Sequence, residues 1–184
     1  MDVDLKKEVL DSRLSDIVLV LYHTDNYIKA YSSILDVLST KKIVVIYITA
    51  NKPHKVILNN LAINKIPSDN LYFIDCISKR IASIEEPVKC CVLADSPTAL
   101  TEIIIILNQI VRKIQADRTI IVLDSVNTLL LYNEKKPVLQ FLHFLINKVR
   151  MENLGGIFLS LKKDTEKDVL VQITPFFDKI VDMG

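Results

Sequence analysis

Asp124 closes an apolar run, Arg118 to Asp124, and is followed by Ser125. A carboxylate at the end of a buried strand can hold Mg²⁺ through a water, next to a bound nucleotide. That chemistry has a second requirement, a phosphate-cradling loop, in which backbone N–H groups turn toward the phosphate and no Cβ blocks the approach. The chain has three glycines, Gly155, Gly156 and Gly184, and none stands near Asp124 in the sequence. Asp124 therefore has two readings: a Mg²⁺ holder, or a strand-end residue that caps the following turn with help from Ser125 and Asn127. Without a phosphate loop the capping reading is favoured.

Other residues suited to chemistry are scattered. His23, His54 and His143 fall on separate predicted elements, and metal-ligand spacing is absent. Ser32, Ser33, Ser125 and Ser160 have no His and Asp partners around a nucleophile turn, and no G-x-S-x-G occurs. The cysteines are Cys76, Cys90 and Cys91. An odd count without a Cys-x-x-Cys pair argues against a disulfide framework or a zinc site, and predicts small core residues in a reducing compartment. No catalytic residue and no metal ligand is nominated.

The 184 residues carry 23 basic and 22 acidic side chains, a net charge of +1. This gives no global attraction to nucleic acid or to an anionic membrane. Lys41-Lys42 and Lys135-Lys136 sit at predicted turns as solvated pairs, and the charges of Lys162 to Asp168 nearly cancel at a predicted hairpin tip. Mean hydropathy is high at +0.31, yet no apolar run approaches the ~20 residues of a membrane span. Met1 to Glu8 alternates charges without a signal-peptide segment. The expectation is a cytoplasmic protein with no membrane partner.

The elements that must position these residues alternate in type. Apolar runs at Ile17 to Tyr22, Lys42 to Thr49, Leu71 to Ile74, Arg118 to Asp124 and Ile157 to Leu161 predict strands covered on both faces. Val88 to Leu93 is a further short candidate. Helices are predicted over Met1 to Arg13, Asp25 to Leu38, Pro53 to Ile63, Pro97 to Gln115 and Pro137 to Arg150, each with an apolar stripe. Gly155-Gly156 reads as the stop and turn after the last helix. Val169 to Ile173 and Lys179 to Val181 read as closing strands that pair antiparallel at one edge. The fold class is α/β in one domain: a mostly parallel sheet with helices on both faces. Ligands in such sheets sit at the carboxyl ends of the strands, so the residues after Tyr22, Thr49, Ile74, Asp124 and Leu161 matter most.

The stretch Thr119 to Tyr132, with Asp124-Ser125 at the strand end, resembles the RecA superfamily and, more closely, its archaeal KaiC-like ATPase branch. The Phe141 to Leu145 helix, the Gly156 to Leu159 strand and Phe177 to Asp182 look like that family too. The resemblance implies ATP and Mg²⁺ as cofactors, with G-x-x-x-x-G-K-[ST] after the first strand. Here the first strand runs into His23-Thr-Asp-Asn-Tyr-Ile28-Lys29-Ala30. With Lys29 in the lysine position, both glycines are replaced, by His23 and Ile28, and the hydroxyl residue has become Ala30. The family's catalytic carboxylate follows the second strand, where this chain has Ala50-Asn51-Lys52-Pro53. Neither an amide nor a protonated lysine is a general base.

These departures predict a non-catalytic RecA/KaiC-like domain serving as a regulatory or structural module. Lys29, Asp124 and Ser125 would then be vestiges of a cofactor site. Its expected partner is a protein, either a second copy or an active paralogue, met through the apolar surplus of Leu100 to Ile114 and through Leu129 to Tyr132. The alternatives are an ATP-binding protein or weak ATPase that uses Lys29 and Asp124 with Mg²⁺, and a recombinase-like DNA-binding paralogue. Neutral composition argues against the last.

Overall fold

A computed structural model describes residues 16–40, 43–81, 90–114, 116, 118–163 and 167–183. The helix expected over Met1 to Arg13, the Lys41-Lys42 pair and the middle of the Lys162 to Asp168 tip lie outside the described residues. The described strands are β1 (Ile17–Tyr22), β2 (Val44–Thr49), β3 (Leu71–Asp75), β4 (Cys91–Leu93), β5 (Thr119–Asp124), β6 (Gly155–Leu161) and β7 (Lys179–Asp182). Between them run helices α1 (Tyr27–Thr40), α2 (His54–Ile63), α3 (Ser78–Ile81), α4 (Leu100–Lys113), α5 (Val126–Tyr132), α6 (Lys135–Met151) and α7 (Lys167–Ile173).

The strands form one sheet in the order β4-β3-β2-β5-β6-β1-β7, and every pairing is parallel. The apolar runs owe their unbroken character to helices on both faces. On one face Ile46, Ile48, Ile121, Leu123 and Phe158 pack with Ile103 and Leu107 of α4 and with Leu142 and Leu145 of α6. On the other face Val18, Val20, Tyr47, Phe73 and Val122 meet Tyr31 and Ile34 of α1 and Ile57 and Leu61 of α2. Side chains along a strand alternate between these layers. Asp124, two residues after Val122, therefore points into the α1–α2 layer.

Three expectations are corrected. The edge is parallel, not antiparallel: β7 pairs with β1 in parallel register, Val18 to Lys179 through Leu21 to Asp182. Val169 to Ile173, expected as a strand, lies in α7, with Val169 and Ile173 buried four residues apart and Val171 exposed. A five-residue apolar run fits either period. Once it is helical, it carries the chain back along the sheet, so β7 must start at the same end as β1.

Gly155 and Gly156 are the second correction, since both lie inside β6. The left-handed residue that ends α6 is Asn153, with φ 54°, and Leu154 N–H closes onto the Val149 carbonyl at 2.9 Å. Gly156 serves close approach instead. A Cβ there would stand 2.9 Å from Phe158 Cε2 and 3.3 Å from Ile17 Cγ2. The third correction concerns the cysteines. Cys76 is buried in the core, but Cys90 and Cys91 are half-exposed.

Candidate functional site at the carboxyl edge of the sheet

The first strand delivers the chain into a tight 3-10 turn, Thr24–Asn26, and straight on into α1. Asn26 N–H bonds the His23 carbonyl at 2.9 Å, and Tyr27 N–H bonds the Thr24 carbonyl. Two amides of the kind that would face a phosphate are thus satisfied within the turn. No residue between Tyr22 and Ala30 adopts positive φ. A cradle of converging N–H groups depends on such alternation of backbone sign.

Asp124 sits at the centre of the sheet, between Thr49 of β2 and Leu159 of β6, and has no solvent exposure. Its Oδ2 accepts from two tyrosines, Tyr27 Oη at 2.5 Å and Tyr47 Oη at 2.8 Å. Oδ1 is buried without a hydrogen-bond partner. Tyr47 comes from β2 directly below, and Tyr27 opens α1 where the 3-10 turn releases the chain. Tyr27 is held by its neighbours: its ring lies 5.4 Å from that of Tyr22 and 5.2 Å from that of Tyr31, with Lys52 Nζ 4.6 Å above its centroid. An aromatic column and a cation–π contact therefore close over the carboxylate.

The electrostatics follow from this enclosure. Burial pushes the Asp124 carboxyl above its ordinary range, and the two tyrosine hydroxyls, Lys52 and Asn51 oppose that rise only in part. Burial raises both tyrosines as well, and the Asp124 charge raises them further. Tyr27 and Tyr47 are thus held as hydrogen-bond donors to a carboxylate whose charged state is disfavoured by burial.

Of the residues singled out from the sequence, Asp124 and Ser125 are adjacent across a cis peptide. Lys29 stands exposed on α1 while Asp124 is sealed. The capping reading of this strand end divides between residues. Ser125 does cap α5, its Oγ accepting from Thr128 N–H at 3.4 Å. Asn127 ties α5 to β6, where its Oδ1 accepts from Ser160 Oγ at 3.1 Å and from Leu161 N–H. Asp124 caps nothing and turns to the tyrosines. Beside this point a cleft of about 580 Å³ is lined by Tyr22, Asn51, Ser125, Thr128, Leu131 and Lys135, among others. It lies at the ends of β1, β5 and β6.

The sequence profile of DUF7504, a family of unknown function, matches residues 48–183. The chain belongs to that family. No curated protein matches it. Among solved structures, this DUF7504 chain is similar to a Pyrococcus horikoshii OT3 protein described as "Structural study of Project ID PH0250". The identity is 14%, with 99% of this chain and 88% of that one covered at a TM-score of 0.65. At that identity the likeness shows the fold alone.

A second polar cluster in this DUF7504 chain went unread in the sequence. Asp75, at the end of β3, is fully buried and accepts five hydrogen bonds. Oδ1 takes Ile77 N–H at 2.8 Å and Ser78 N–H at 2.9 Å. Oδ2 takes His54 N–H at 2.8 Å, His54 Nδ1 at 2.7 Å and Ser78 Oγ at 2.7 Å. Although burial opposes ionisation, these donors hold its carboxyl below the usual range. One carboxylate thus anchors the starts of α2 and α3. Sequence distance hid the pairing, since His54 and Asp75 lie 21 positions apart. Asp75 does, however, follow Ile74 at one of the strand ends singled out as important.

Proposed function

We propose that this chain is a non-catalytic RecA/KaiC-like domain that works as a regulatory or structural protein-interaction module, paired with itself or with an active paralogue. The observation that carries the reading is the closure of Asp124. A Mg²⁺-holding carboxylate must offer an oxygen to a water or ion on the nucleotide side. Here one oxygen is taken by Tyr27 and Tyr47, the other is buried without a partner, and the Tyr27 ring packs 5.4 Å from that of Tyr22 at the end of the first strand. Lys52, in the Ala50 to Pro53 segment where the resemblance would put a catalytic carboxylate, instead brings a cation over that ring.

Apolar side chains exposed on the helices support the interaction half of the reading. Ile105 of α4, Leu131 and Tyr132 of α5 and Phe144 of α6 all face solvent. Among the described residues no helix is long and apolar enough to cross a membrane. The cleft beside Ser125 speaks for the ATP-binding alternative.

Titration with a fluorescent ATP analogue and Mg²⁺ separates the two readings. The module reading expects no saturable binding. Micromolar binding abolished by Lys29→Ala would overturn it. Light scattering on the pure protein, with capture of partners, checks the assembly half: a strict monomer that retains no partner counts against the proposal.

A further inference from the structure

We propose that the cleft beside Ser125 binds a small amphipathic carboxylate, a single anionic head on an apolar body. The cleft holds about 580 Å³, within the range of small-molecule sites. It opens at the ends of β1, β5 and β6, the edge at which parallel sheets take their ligands. Asp124 plays no part in it, since that carboxyl is enclosed by Tyr27 and Tyr47 in the α1–α2 layer.

The polar part of the lining selects a hydrogen-bond acceptor. Among the described residues that line the cleft, Lys135 is charged and none is acidic. The Lys135 ammonium pairs with Asp168, but both side chains are partly exposed, at 34% and 57%. An exposed pair of this kind is weak, so a ligand carboxylate can share the cation. A second donor comes from Ser125 and Thr128, whose hydroxyl oxygens lie 3.0 Å apart. Ser125 Oγ also accepts from Thr128 N–H. Two hydroxyls bonded to each other use one of their two hydrogens, so the other hydrogen is left to serve a further acceptor.

The rest of the lining selects the body. Leu130, Leu161 and Val169 bring hydrocarbon from α5, β6 and α7, and Leu131 adds a side chain that is 78% exposed. A hydrocarbon body removes this wall from water, whereas a free inorganic anion would leave it wet. The head carries one charge because one ammonium faces it. A polyphosphate calls for several donors at once, and the turn after β1 spends amides on its own carbonyls.

Isothermal titration of the full chain with sodium octanoate tests the proposal, with octanamide as the uncharged counterpart and ATP and inorganic phosphate as competitors. Octanoate should bind one per chain, at least tenfold more tightly than octanamide, and neither competitor should displace it. Lys135→Met should weaken octanoate at least tenfold and leave octanamide within twofold. Lys163→Met, outside the lining, should change neither. Leu131→Ser should weaken both ligands, and because Leu131 faces solvent, this variant should melt like the wild type. Octanoate should raise the melting temperature of the wild type and of K163M by more than that of K135M. Lys29→Ala, which decides between the module and ATP-binding readings, should leave octanoate binding unchanged, so the two proposals fail separately. No saturable octanoate binding, equal affinity for octanoate and octanamide, a loss in K163M as large as in K135M, or displacement by ATP overturns the proposal.

Discussion

Replacing Tyr47 by phenylalanine removes one oxygen and leaves the ring that packs 5.8 Å from Phe73. The hydroxyl it deletes is one of two that serve the buried Asp124 Oδ2. Tyr47 is fully buried, so solvent has no ready path to replace the lost donor. An intramolecular hydrogen bond has a net value of about 0.5–1.5 kcal/mol, and leaving a buried polar group short of a partner costs about 1–3 kcal/mol. Y47F should therefore destabilise by about 1–3 kcal/mol. For a chain of this length that corresponds to a fall in Tm of about 2–4 °C per kcal/mol. Urea denaturation at equilibrium measures it, with an unchanged m-value showing that the fold is intact. Tyr27→Phe completes a cycle. Each single variant leaves Asp124 one donor and the double variant leaves neither, so the double should lose more than the sum of the singles, by about 0.5 kcal/mol or more. A Y47F protein within about 0.5 kcal/mol of wild type, or strictly additive losses, would refute the claim that the tyrosines jointly stabilise Asp124.

Asp124→Asn tests the carboxyl itself. Its pKa is raised in the folded chain, so the stability it contributes is full below the unfolded value of about 3.9 and is lost as pH rises through the folded value. Wild type should therefore lose stability relative to D124N as pH climbs above about 4. Urea titrations across pH check the sign, and a flat difference would contradict it. Gly156→Ala places a methyl 2.9 Å from the Phe158 ring and 3.3 Å from Ile17 in the sheet interior. Overpacking there should cost about 1–3 kcal/mol, read as a lower urea midpoint.

Much of the architecture follows from local pattern. Runs such as Ile17–Tyr22 and Thr119–Asp124 are apolar at every position but the ends, which only a sheet covered on both faces accommodates. In the α4 stripe Ile103, Leu107 and Ile110 repeat at helical spacing and are buried, and Ile106 is buried with them. The segments that misled were short. Val169 to Ile173 fits strand or helix equally well, and Gly155-Gly156 can serve a turn or a tightly packed strand. In each case the deciding term is a neighbour: α7 against α6, and Ile17 against Gly156.

What the sequence by itself determined is a negative and a place. No glycine loop follows the first strand, no carboxylate follows the second, and Asp124 stands at a strand end. These are properties of contiguous residues, and chain chemistry is readable along the chain. Only the tertiary structure decided what meets Asp124. Tyr27, Tyr47 and Lys52 lie 97, 77 and 72 positions away from it in sequence, and nothing local marks them as its neighbours. The same holds for His54 and Asp75, 21 positions apart. Parallel strands gather their carboxyl ends at one edge, so residues far apart in sequence become a site through the order in which the strands pair, and that order is set by long-range packing.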